Sequence, residues 1–86
     1  MLEYTTTGGM ERFIGAYRKA LTSLVERSPD EVGWPAYELP AVLARMERAF
    51  REGSFNHDST GIRMACRALG IKTTRKAILE FMKGPG

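Results

Sequence analysis

Residues 61–82 read GIRMACRALGIKTTRKAILEFM, and this stretch decides the fold. Ile62, Ala65, Cys66 and Leu69 recur at three- and four-residue spacing, which puts them along one side of a helix. Gly70 ends that helix, because glycine enters the left-handed C′ conformation with no Cβ penalty. After Ile71 and Lys72, Thr73 or Thr74 can cap a further helix by accepting a backbone N–H, and Ala77, Ile78, Phe81 and Met82 make its inward side.

The same period continues upstream. Phe13, Ile14, Tyr17, Ala20, Leu21, Leu24 and Val25 predict a helix from Met10 to about Arg27, where Pro29 disfavours helical geometry at Ser28. Ser28-Pro29-Asp30-Glu31 then reads as a new helix start held to one turn by Gly33 and Pro35, with the aromatics of the 33–37 stretch expected to fold back. Pro40 opens another helix whose stripe is Ala41, Val42, Leu43, Met46, Ala49 and Phe50, and Gly53 closes it. In the connector 53–59, Phe55 is expected inward, and Asp58 or Ser59 is positioned to cap the next helix. Nowhere do apolar and polar residues alternate over a useful length, so no strand is expected. The sequence predicts an all-α, single-domain bundle of about four helices over residues 10–83. Residues 1–9 read as a flexible lead ahead of Met10, and residues 84–86 as a tail.

Composition narrows the class. Eighty-six residues suffice for one small core, and 43 % hydrophobic with 27 % charged residues belongs to globular chains, not disordered or fibrous ones. No apolar run approaches the roughly 18 to 20 residues of a membrane span, so a cytoplasmic protein without membrane contact is expected. The single Cys66 falls on the inward stripe, where it acts as a small hydrophobe in a reducing compartment.

Charge is divided unevenly. From residue 59 onward the chain carries Arg63, Arg67, Lys72, Arg75, Lys76 and Lys83 against the single acid Glu80, whereas its first 58 residues hold seven basic and nine acidic side chains. A positive helix pair on an otherwise slightly acidic domain is the electrostatic footprint of a phosphate-binding surface. A solvated face with ordinary surface charges would show the same composition.

With Cys66 as a small residue four before the turn glycine, Leu69 just before it and Ile71 just after, residues 61–82 resemble a helix-turn-helix DNA-binding unit. Lys76 stands six positions after the glycine, where that family carries an apolar residue; the apolar positions here are Ala77 and Ile78. The resemblance implies that the second helix enters the major groove with Thr73, Thr74, Arg75 and Lys76 nearest the bases, Arg75 being the leading base reader. Arg63 and Arg67, four apart and opposite Ile62 and Cys66, would grip the backbone together with Lys72.

Other chemistry is sparse. One histidine, His57, and one cysteine fall short of the four ligands zinc usually takes, so no metal or cofactor is expected. Nor is there a phosphate loop, a carboxylate pair or a nucleophile-base pattern, and the chain reads as a non-enzyme with no small-molecule substrate. Trp34 reads either as a core plug or as a partner's anchor. Met64 and Leu79 fall outside the inward stripes, which suggests a homodimer or a protein partner. These residues point to two functions. One is nucleic-acid binding, chiefly duplex DNA, through the basic helix pair. The other is an adaptor or inhibitor whose basic and apolar face, with Met64, Leu79 and Trp34, docks on an acidic protein.

Overall fold

A computed structural model describes residues 8–84. In chain order it contains α1 (Gly8–Arg27), α2 (Pro29–Val32), a 3₁₀ turn (Ala36–Glu38), α3 (Leu39–Glu52), α4 (Thr60–Leu69) and α5 (Arg75–Lys83), with no strand among the described residues. The all-α bundle expected from the sequence is what forms. Residues 1–7 of the expected lead, and Pro85 and Gly86 of the tail, lie outside the described residues.

α1 is the central element. It packs most extensively against α4, then α5, and more sparingly against α2 and α3. Phe13, Ile14, Tyr17, Leu21, Leu24 and Val25 are its buried side, which is the predicted stripe except for the half-buried Ala20. Against it sit Ile62, Ala65 and Cys66 from α4 and Ile78 from α5, all with no exposed surface. α3 reaches this core mainly through Phe50. Its ring is 1 % exposed and stands edge-on to Phe13, Tyr17 and Phe55, with centroids 5.2, 5.1 and 5.6 Å away. Edge-to-face pairs of this kind align a ring's positive rim with its neighbour's negative face.

The first helix starts at Gly8, two residues before the predicted Met10. Gly9 is buried, and a Cβ built on it would lie 2.0 Å from the carbonyl oxygen of Phe81. Only glycine lets the start of α1 approach the end of α5 so closely. Since Gly-Gly carries no apolar side chain, the periodicity could not register this contact.

Other boundaries follow the expected chemistry with local changes. Gly53 and Gly70 both take left-handed geometry, and each closes its helix with a pair of backbone bonds: Gly53 N to Phe50 O and Ser54 N to Ala49 O, Gly70 N to Arg67 O and Ile71 N to Cys66 O. Thr74 caps α5, its hydroxyl accepting from Ala77 N at 3.1 Å. Ser59 occupies the N-cap of α4, but its side chain makes no capping bond. Of the aromatics in the 33–37 stretch, Trp34 folds back and is half-buried against the core, whereas Tyr37 remains 81 % exposed. Ala41, placed on the stripe of α3 by its spacing, is exposed.

Candidate nucleic-acid interface

α4, the turn and α5 carry every residue that the sequence assigned to nucleic acid. Arg63, Arg67, Lys72, Thr74, Arg75 and Lys76 are exposed, and Thr73 is half-buried. The local cause is the same in both helices. Ile62, Ala65 and Cys66 turn one side of α4 onto α1, which leaves Arg63 and Arg67, one turn apart, on the other. Ile78 and Met82 do the same for α5, leaving Lys76, Glu80 and Lys83 outward.

Among the described residues, five of the six cations stand without an acidic partner. Among the described residues no carboxylate lies within ion-pair distance of Arg63, Arg67, Lys72, Lys76 or Lys83. The first half of the chain behaves differently at two of its cations, since Arg18 pairs with Glu47 and Arg51 lies 3.4 Å from Glu11. A cation without a neighbouring acid keeps its whole field available to an incoming anion.

Arg75 is the exception, and it was the leading base reader. Its guanidinium donates to the carbonyl oxygen of Gly53 and, at 3.4 Å, to that of Phe55, and it lies 5.1 Å over the Phe55 ring. The C-terminal end of α3, where carbonyl oxygens concentrate partial negative charge, favours a cation there. Arg75 therefore fastens the start of α5 to the α3–α4 connector. Reading a base would require it to give up these contacts.

The two threonines are likewise engaged. Thr74 spends its hydroxyl on the N-cap, and Thr73 lies beside Cys66. Burial pushes the Cys66 thiol above its ordinary value, and the Thr73 side chain offsets part of that rise. Cys66 is thus a neutral, buried filler of the helix crossing. Lys76 faces solvent in the slot where a helix-turn-helix family places an apolar residue, and the buried position is Ile78.

Of the apolar interaction candidates, none stands free. Met64 is half-buried and borders a shallow groove with Ala16 and Ala20 of α1, while Leu79 lies between Arg75 and Lys83 above the end of α3. Both pack against the core, as does Trp34. α1 covers Met64 from the side, a contact that the helical wheel of α4 alone could not reveal. The contacts of Arg75 were equally invisible in the sequence, because they depend on where a connector 20 residues upstream comes to rest.

In comparisons with known proteins no family model matches this chain, and no curated protein or solved structure matches it.

Proposed function

We propose that the protein is a non-enzymatic nucleic-acid-binding domain that contacts the phosphates of duplex DNA through α4, the following turn and α5. The observation that carries this reading is the set of five exposed cations, Arg63, Arg67, Lys72, Lys76 and Lys83, none with a carboxylate partner among the described residues. Phosphate contacts supply most of the affinity in sequence-independent binding. With Arg75 held by the α3–α4 connector, the face is suited to the backbone more than to base edges. The role is therefore that of an accessory factor with little sequence preference.

Fluorescence anisotropy of a labelled duplex over a salt series tests this directly. Log affinity is expected to fall linearly with log salt, with a slope approaching about −4.5 if all five cations reach phosphates. Arg67→Ala and Lys76→Ala should each reduce that slope by about 1 and weaken different sequences alike. Absence of duplex binding at about 100 μM protein in low salt would overturn the proposal.

A further inference from the structure

A cavity of about 420 Å³ lies between α1 and α3, walled by Leu21, Leu24, Val32, Trp34, Val42 and Met46. Small-molecule pockets have this size and this apolar character. Tyr17 and Leu24, both in the lining, are seven residues and so roughly 10 Å apart along α1, so the cavity borders that helix over about two turns. The Tyr17 end meets the start of α4, and the Leu24 end lies toward α2. Arg63, Arg67, Lys72, Lys76 and Lys83 are all absent from its lining.

Polar groups gather at the Tyr17 end without partners. Tyr17 is 5 % exposed, yet its hydroxyl makes no hydrogen bond to a described residue. Ser59 Oγ is buried and also lacks a partner among the described residues. Because Ser59 does not cap α4, its side chain leaves the first N–H groups of that ten-residue helix unanswered. Gly61 brings the two features together. A Cβ at that position would lie 2.9 Å from Tyr17 Cε1 and 3.5 Å from Cζ, so the hydroxyl-bearing end of the ring rests on the first turn of α4.

Ser59 Oγ is sealed from the cavity, whereas Tyr17, Thr60 and Gly61 border it, so this end is lined by a phenol able to donate and by the start of a helix. A tyrosine phenol is protonated and able to donate at neutral pH, and burial raises that of Tyr17 further above its ordinary value. The start of a helix favours an anion through its aligned peptide dipoles. Glu31 is the one acid in the lining, and it is exposed on α2, toward the other end.

We propose that this cavity binds a small apolar monocarboxylate, with its tail against Leu21, Leu24, Trp34, Val42 and Met46 and its carboxylate accepting hydrogen bonds from the Tyr17 hydroxyl and the first-turn N–H groups of α4. The site is independent of nucleic-acid binding.

Decanoate is the test ligand, with decanol and decylamine as headgroup controls. Trp34, the single tryptophan of the chain, borders the cavity and reports occupancy by its emission. Decanoate should give a saturable change and bind about tenfold more tightly than either control. Tyr17→Phe keeps the ring and removes the donor; it should weaken decanoate about fivefold and leave decanol unchanged. Val42→Phe should fill the chamber and abolish binding of both. Equal affinity for decanoate and a control, unaltered decanoate binding by Tyr17→Phe, or no saturable response to decanoate would each overturn the assignment. Should Val42→Phe not fold, the Tyr17→Phe comparison decides alone.

Discussion

α3 and α4 each carry an apolar stripe and each close on a left-handed glycine with the same pair of backbone bonds. Only α4 is deeply set: Gly61, Ile62, Ala65 and Cys66 are buried among its ten residues, whereas α3 buries Val42 and Phe50 among fourteen. Residue size accounts for the difference. Small side chains at Gly61, Ala65 and Cys66 let α1 approach α4 closely, while Leu43, Met46 and Ala49 of α3 remain half-buried, the last two over the cavity. The charges diverge in the same way. Two ion pairs involve α3, Arg18 with Glu47 and Arg51 with Glu11, and neither arginine of α4 has a partner among the described residues. Arg45 and Arg48 of α3 likewise have no partner among the described residues, so the difference lies in Glu47 and Arg51, which bridge α3 to α1, and in the depth of α4, which makes it the firmer platform for an anion.

The contrast breaks first at the core. Ile62→Ala, at a site with no exposed surface, should cost about 2 to 5 kcal/mol in urea denaturation, and the half-buried Met46→Ala under about 2. Equal costs would erase the difference in depth between α4 and α3. Gly9→Ala comes next, at about 2 to 3 kcal/mol, because its methyl would force α1 away from the Phe81 carbonyl. A neutral outcome would mean that the two helix ends are not in close contact.

Two smaller effects sharpen the picture at the start of α4 and of α5. Arg75→Ala should lower stability by about 1 kcal/mol through loss of its carbonyl bonds and its stacking on Phe55, while leaving the salt slope of duplex binding unchanged. A slope reduced by a full unit would return Arg75 to the phosphate-binding set. Thr74→Ala should cost about 1 kcal/mol, since that hydroxyl caps α5, and Ser59→Ala close to nothing, since its hydroxyl caps no helix. Thermal denaturation of the two variants side by side checks the pair.

Much of this architecture was legible from spacing. Ile62, Cys66, Ile78 and Met82 fell inward as their period required, and Gly53, Gly70 and Thr74 marked helix ends through local backbone chemistry. What escaped depends on contacts distant in sequence. Gly9 has no side chain to enter a periodic pattern, Arg75 is fixed by carbonyls more than a dozen residues upstream, and Met64 is covered by a neighbouring helix. Tyr37 looked inward because aromatics commonly are, yet the 3₁₀ turn that carries it has no buried residue. The candidate site was legible as charge and not as geometry: the sequence names the cations, and only the fold distinguishes the five with no partner among the described residues from Arg75, which is tied.

Amide chemical-shift mapping with a short duplex tests the central claim most directly, because α3 offers Arg45, Arg48 and Arg51 as an internal competitor to α4 and α5. The largest shifts are predicted around Arg63, Arg67, Lys72 and Lys76, fading as salt is added. Shifts centred on Arg45 and Arg48, with α4 and the turn unmoved, would contradict the assignment of the DNA-binding face.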